Sequence, residues 1–372
     1  MTDVHPLSER LARRAARGLG RLPTAVKRVI AGRPISVDGQ VMDLDAQVGK
    51  RVLGLTVSKT FESLPLAEGR AQIASEAWIF GDELPVEEIR DLTIPTPGGG
   101  IPARLYRSAG VPRPSAALVY FHGGGWVLGD LSASDSVARF LARHASLTVI
   151  AVDYRLAPEN PFPAAVDDAL AAFTHVVEHA EEYGVDPAAV AVGGESAGGN
   201  LSAVVALETA RRARETNSPG SPGSPAPAMQ LLLMPATDLS RKHRSYELFG
   251  EGFFLTEAQM DWYKARYLPD PAQATDTRVS PLLADDLHDV APAYVAVAGF
   301  DVLRDEGEAY AHKLRDAGVP AVLRRHSGIT HSMVNATGSG AAPREVLLEV
   351  AGALRMGLTS RAGLKTPEAG AR

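Results

Sequence analysis

The chain has 372 residues, 45% of them hydrophobic, and a formal net charge of −6. That length buries a large core and leaves room for two structural units, while the mild acidity excludes a nucleic-acid binder, which carries a basic surplus. It contains no cysteine, which excludes disulfides, thiolate metal sites and a cysteine nucleophile.

The N-terminal segment is basic. Arg10, Arg13, Arg14, Arg17, Arg21, Lys27 and Arg28 interleave with Leu7, Leu11, Leu19 and Leu22. No continuous apolar run follows, so a secretory signal is not expected, and no stretch is long and apolar enough to span a bilayer. Such a pattern suits an amphipathic helix packed on its own protein. Weak contact with a membrane surface is the alternative. The expected location is cytoplasmic, with peripheral membrane association left open.

From about Glu87 the texture changes. "IRDLTIPTPGGGIPARLYRS" alternates apolar and polar residues around a glycine-rich turn, a hairpin pattern. Buried strands are expected at 115–122, 147–154, 188–194, 230–236 and 293–299, with a final strand at 320–326. Helical stretches such as "AAVDDALAAFTHVVEHAEEYG" and "AGGNLSAVVALETARRARE" lie between them. Alternation of this kind implies an α/β fold with a mostly parallel central sheet flanked by helices. Residues 216–228, "TNSPGSPGSPAPA", read as a flexible linker, and residues 360–372 as a disordered tail. Residues 238–276 exceed what a strand–helix connection needs, and long insertions often cover a site. The expected division is an N-terminal cap region, 1–85, and a catalytic domain, 86–372, with 238–276 a second piece of the cap.

Two glycine-rich stretches carry the chemistry. Gly194-Glu195-Ser196-Ala197-Gly198 has the pattern G-x-S-x-G between an apolar strand and a helical sequence. That context suits a strained, exposed serine whose hydroxyl sits near a helix N-terminus. A serine nucleophile needs a base, and the base needs an orienting acid. In a sheet of this order both follow the serine. His331, in a loop after the last strand, is the expected base and His326 the alternative. Asp301, the first residue past a strand, is the expected acid, with Asp305 second. The other stretch is His122-Gly123-Gly124-Gly125. Its glycines let backbone N–H groups face a developing oxyanion, and losing one such donor costs about 3 kcal/mol in comparable enzymes. Gly124, Gly125 and Ala197 are the expected donors. A phosphate-binding loop lacks support, because no Lys-Ser/Thr and no G-x-G-x-x-G spacing is present.

"HGGGWVLGD", "DYRLAPENPFPAAVDDA", "GGESAGGNLSA" and "DVLRDEGEAYAHKLRDAG" together resemble the hormone-sensitive-lipase-like branch of the α/β-hydrolases, above all its bacterial carboxylesterases, over about residues 88–355. The resemblance implies a Ser196–Asp301–His331 triad, a helical cap, and hydrolysis of small carboxylic esters without metal or organic cofactor. The sequence departs from the family at Glu195, where Asp or Thr is usual, and at Val302, where Pro follows the acid. It departs again at Ser332-Met333, where Gly-Phe is usual. Met333 puts a flexible thioether at an expected pocket wall. Trp126, Phe253, Phe254 and Leu255 are expected to shape the same pocket, and Asp153 and Arg155 to brace the oxyanion loop. The expected activity is a serine carboxylesterase on short- to medium-chain esters. A lipase at a lipid surface and an amidase or deacetylase on the same triad are the alternatives. A non-catalytic small-molecule receptor would be expected to lose part of the triad, and all three members are present. The oligomeric state is left between monomer and homodimer.

Overall fold

The computed structural model describes residues 5–56, 59–215 and 225–362. A small hairpin comes first, β1 (Ser36–Val37) and β2 (Gln40–Val41), turning through Asp38-Gly39 at φ 53° and 73°. Asp-Gly suits a two-residue turn that needs positive φ at both positions. The main sheet is built from β3 (Glu88–Thr96), β4 (Gly99–Arg107), β5 (Ser115–Phe121), β6 (Thr148–Val152), β7 (Val185–Glu195), β8 (Gln230–Leu233), β9 (Ala293–Phe300) and β10 (Ala321–Thr330). Its order is β10-β9-β8-β7-β5-β6-β4-β3. Pairing is parallel from β10 to β6 and antiparallel at β6–β4 and β4–β3.

The hydrophobic pattern explains this order. β6, β8 and β9 are buried at every residue, as continuous apolar runs covered on both faces should be. β10 alternates and takes one edge, and β3, largely exposed, takes the other. α5 (Leu131–His144) packs with α12 (Ala342–Ala362), α6 (Ala164–Glu178) packs with α8 (Ala197–Glu215), and the short α7 (Ala180–Tyr183) lies against β7. α11 (Arg304–Asp316) covers β9 and β10.

Chain order and sheet order diverge at β5. The chain runs from β5 to β6 on one side, then returns to lay β7 on the other side of β5. At such a switch point the loops leaving two adjacent strands open a crevice at their C-terminal ends. Here those loops are the two glycine-rich stretches, and Phe121 stands opposite Gly194 in the register.

The N-terminal region contributes α1 (Leu7–Gly20), α2 (Thr24–Ala31), α3 (Leu44–Thr56) and α4 (Leu66–Phe80). Its hairpin is pinned to the main sheet near the end of β9. Gln40 Nε2 donates to Gly299 O at 3.2 Å, Asp43 N to Gly328 O at 2.9 Å, and Arg304 pairs with Asp38 at 3.0 Å. The insertion after β8 contains α9 (Arg244–Phe249) and α10 (Glu257–Tyr267), the latter opened by a Thr256/Gln259 capping box. Of the 216–228 linker, residues 216–224 lie outside the described residues, as do residues 363–372 of the tail. The first residues assigned to the tail are helical, because α12 runs to Ala362 and polar residues do not by themselves end a helix.

Arg155 departs from its expected place. Its guanidinium clasps Asp168 of α6, with Nε at 2.9 Å from Oδ2 and an Nη at 2.8 Å from Oδ1, and its backbone N–H donates to the same carboxylate at 2.9 Å. Asp168 is fully buried, so its charge needs this partner; the pair fixes the β6–α6 connection and does not touch the oxyanion loop. Arg155→Ala should leave that carboxylate buried and short of donors. A loss of about 3 kcal/mol in urea unfolding is expected, and unchanged stability would contradict this role.

Candidate active site

Ser196 sits alone between the last residue of β7 and the first of α8, at φ 57°. A non-glycine residue held there costs on the order of 1 kcal/mol or more, so the surroundings must impose it. They do so through close approach. A Cβ on Gly198 would lie 1.9 Å from Phe121 O, and one on Gly194 would lie 2.2 Å from the same atom. Ser196 N donates to Leu233 O at 2.8 Å, and Ser196 O accepts from Asn200 N at 3.0 Å. The neighbours are buried and the serine is half-exposed.

The second stretch leaves β5 beside it. Gly124 and Gly125 have φ 112° and 60°, and a Cβ on Gly125 would meet the Tyr263 ring at 2.2 Å. Tyr263 belongs to α10, so the insertion lies directly on the loop. Gly124 O accepts from Val127 N at 3.1 Å and Leu128 N at 2.9 Å, which closes the turn. Tyr154 OH donates to His122 O at 2.8 Å and its ring stacks on the His122 ring at 4.3 Å. Gly123 N is engaged, donating to Glu195 Oε1 at 2.8 Å. Among the described residues, the N–H groups of Gly124, Gly125 and Ala197 have no backbone acceptor. These are the three expected donors. Ala197 N–H also opens the 19-residue helix α8, whose N-terminus favours negative charge.

Asp153 takes a different position from the bracing one expected of it. Its Oδ1 is 3.8 Å from His122 Nε2, beyond hydrogen-bond range. Burial and the neighbouring charge of Asp130 push its carboxyl up to about 6. Burial also pushes the His122 imidazole below its usual range. The bracing comes instead from Tyr154.

Asp301 is the first residue past β9 and is fully buried. Its Oδ1 accepts from Leu303 N at 3.0 Å and its Oδ2 lies 2.8 Å from His331 Nδ1. A carboxylate only accepts, so Nδ1 carries the proton and Nε2 presents a lone pair. β10 runs four residues further than expected, to Thr330, with an irregularity after His326; His331 therefore opens a 3₁₀ turn, His331–Asn335, at the strand's very end. That turn reaches the elbow through Asn335 Nδ2, 3.5 Å from Glu195 Oε1. The alternatives lie elsewhere: His326 is half-buried within β10, and Asp305 pairs with Arg304 at 2.8 Å. Among the described residues the Ser196 hydroxyl is not hydrogen-bonded to His331; such contacts tighten when substrate binds.

The expected pocket residues fall into two groups. Trp126, Leu255 and Met333 are buried in the main core, Trp126 stacked flat on Tyr267 at 4.5 Å. Phe253 is half-buried against Phe249 and Phe300, at 5.5 and 5.4 Å. Phe254, at φ 75°, faces Gly49 of α3. The N-terminal region meets the insertion directly: Phe61 packs on Trp262 and Tyr263 at 5.6 and 5.4 Å, and Gln259 donates to Glu62 at 3.1 Å. Arg70 of α4 clips this region to the loops after β5 and β6, donating to Val127 O and Ala157 O at 3.0 Å each and pairing with Glu159. Sequence reasoning missed Tyr263, Tyr154 and Arg70, since one tyrosine or arginine in a helix or loop carries no pattern that names its partner.

A profile of the α/β-hydrolase fold matches residues 118–335. The chain is 43% identical over 344 residues to the carboxylic ester hydrolase LipN of Mycobacterium tuberculosis, covering 91% of this chain and 89% of LipN. It is 38% identical over 276 residues to an ethyl acetate hydrolase of Pseudomonas putida, covering 73% and 84% of the two chains. A solved structure of a thermostable esterase from Pseudomonas putida superposes with a TM-score of 0.79 at 35% identity, covering 87% of this chain and 99% of that one.

Proposed function

The chain belongs to the α/β-hydrolase family, and we propose that it is a serine carboxylesterase acting on short- to medium-chain esters. The observation that carries this reading is the convergence at the C-terminal ends of the strands of an elbow serine, three N–H groups without a backbone acceptor and a His331–Asp301 pair at 2.8 Å. The relatives named as ester hydrolases support the class.

In this reading Ser196 Oγ attacks the ester carbonyl carbon while His331 Nε2 takes the hydroxyl proton. Asp301 holds the ring in the required tautomer and offsets the imidazolium charge. The carbonyl oxygen becomes an oxyanion that accepts from Gly124, Gly125 and Ala197 N–H. The tetrahedral intermediate collapses, His331 gives its proton to the departing alkoxide, and the acyl group stays on Ser196. Water, deprotonated by the same imidazole, then attacks the acyl carbon; collapse frees the carboxylic acid and returns the proton to Ser196. An amide substrate would need a poorer leaving group protonated.

Residues 5–56, 59–85 and 238–276 form a cap over the acyl side of this site, a reading supported by the packing of Phe61 on Tyr263 and of Tyr263 on Gly125. Trp126, Phe253, Phe254, Leu255 and Met333 shape the acyl pocket beneath it.

A second feature favours contact with a lipid surface. Arg13 and Arg17 of α1 are spent internally, on Glu83 and Gly81 O, and Lys27 on Asp45. Arg14, Arg21 and Arg28 stay exposed, as do Leu7 and Leu11, 64% and 55% exposed, and Val29, 82% exposed. Leu7, Leu11 and Arg14 share one helix face. No helix among the described residues is long and apolar enough to cross a membrane, so this contact would be peripheral.

Ser196→Ala should abolish hydrolysis of p-nitrophenyl butyrate and fluorophosphonate labelling without loss of fold. His331→Ala should be nearly as damaging, because triad members act as a unit, while His326→Ala should stay within about threefold of wild type. The reverse ranking of the two histidines would remove His331 as the base.

Across p-nitrophenyl esters, kcat/KM should rise about fourfold per added methylene, from about 0.8 kcal/mol each. It should fall beyond about eight carbons as the pocket fills. Met333→Phe should shorten the preferred chain. A rate that keeps climbing through long chains and jumps at an emulsified interface would replace the esterase reading with a lipase.

The purified chain should co-sediment with phosphatidylserine vesicles at low salt and lose that binding in a Leu7→Asp/Leu11→Asp/Arg14→Glu variant. Equal recovery of both proteins with the vesicles would exclude α1 as the contact.

A further inference from the structure

Glu195 stands between the glycine and the nucleophile of the elbow, where a charged residue looks out of place. Its side chain is buried and its carboxylate collects donors from three separate segments. Tyr120 OH, from the end of β5, donates to Oε2. Gly123 N, from the oxyanion loop, donates to Oε1 at 2.8 Å, and Asn335 Nδ2, from the His331 turn, reaches the same oxygen at 3.5 Å. All three partners donate, which suits an ionised carboxylate. Burial opposes the charge and pushes the carboxyl above its usual range, against the pull of these hydrogen bonds. A carboxylate is tolerated in such a place only when it is well paired.

The first glycine of the His122-Gly-Gly-Gly stretch fits the same account. A Cβ on Gly123 would come within 3.2 Å of Glu195 Cγ and 3.3 Å of Oε1. Gly123 thus serves the approach of Glu195, and its N–H, already taken, does not face the substrate. With Gly123 anchored, the next two N–H groups are set in direction.

The geometry points to Glu195 as a positioning residue that ties the oxyanion loop and the His331 turn to the nucleophile elbow, so that the Gly124 and Gly125 N–H groups stand in place before substrate arrives. This rests on the esterase reading above. An apolar residue of equal size would fill the space and tie nothing, and an exposed carboxylate would leave the loop free. The three donors also take up the negative charge that would otherwise oppose an oxyanion forming nearby.

The test compares Glu195→Ala, Glu195→Gln and Tyr120→Phe by p-nitrophenyl butyrate kinetics, the rate of fluorophosphonate labelling, and thermal unfolding. Glu195→Ala should lower kcat about 100-fold, comparable to losing one oxyanion donor. KM should stay within about threefold, and labelling should slow in parallel because the phosphonyl oxygen uses the same N–H groups. Glu195→Gln keeps Oε1 for Gly123 and can donate to the Tyr120 oxygen, so it should recover kcat to within about tenfold of wild type. Tyr120→Phe should lower kcat by about three- to tenfold at unchanged KM. If Glu195→Ala does not fold, the other two variants decide. Folded variants with wild-type kcat, a loss confined to KM or to melting temperature, or Glu195→Gln as damaged as Glu195→Ala would each overturn the assignment. A wild-type protein with no esterase activity would instead overturn the functional reading on which it rests.

Discussion

The carbonyl oxygen of Phe121 lies so close to the backbone of Gly194 and Gly198 that neither position has space for a Cβ. That contact joins the end of β5 to the turn after β7, and the rest of the site follows from it. It holds the elbow tight enough to keep Ser196 at positive φ. It also sets where the next four residues, His122 to Gly125, begin. Nucleophile and oxyanion loop are far apart in the chain, yet their relative position is set by one van der Waals limit between neighbouring strands. Lengthening either glycine by one carbon would separate the strands or flatten the turn.

Around that contact the fold gathers several buried carboxyl groups, most of them held by hydrogen bonds. Asp301 has His331. Glu306, in the first turn of α11, accepts from Thr237 N at 2.7 Å and Asp238 N at 3.2 Å, while burial pushes its carboxyl well above the usual range. Burial works against ionisation of Asp238 too, but hydrogen bonds from His243 and Ser240 outweigh it and hold that carboxyl down at about 2. The carboxylates after β8 and β9 therefore order the loops that carry the acid and begin the insertion. Paired in this way, they rigidify; unpaired, each would cost several kcal/mol.

The sheet was legible because its central strands are buried on both faces and read as apolar runs, and because glycines punctuate the two working turns. Ser196 and Asp301 were expected because each closely follows a predicted strand, and His331 because it lies in a loop beyond the last one; in the structure each is the first residue past β7, β9 or β10. What could not be read was which side chain meets which. Arg155 was assigned to the oxyanion loop, but an arginine's reach admits several carboxylates, and burial of Asp168 decided the matter. β10 was ended at His326, since exposed edge strands lose their apolar signature. Glu195 looked like a variant of the motif, because no pattern in one chain shows that Tyr120, Gly123 and Asn335 converge on it. The contact of Tyr263 with Gly125 was equally silent, being made between an insertion and a loop with no shared periodicity.

The central claim is that the C-terminal ends of the strands assemble a nucleophile, an oxyanion site and a base in a single arrangement. A crystal structure of the chain inactivated by a p-nitrophenyl alkylphosphonate tests it most directly. The account expects phosphorus bonded to Ser196 Oγ and the phosphonyl oxygen within about 3.1 Å of the Gly124, Gly125 and Ala197 nitrogens. His331 Nε2 should face the serine oxygen with its Nδ1 still on Asp301. Phosphorus on another residue, or a phosphonyl oxygen turned away from those three nitrogens, would contradict it.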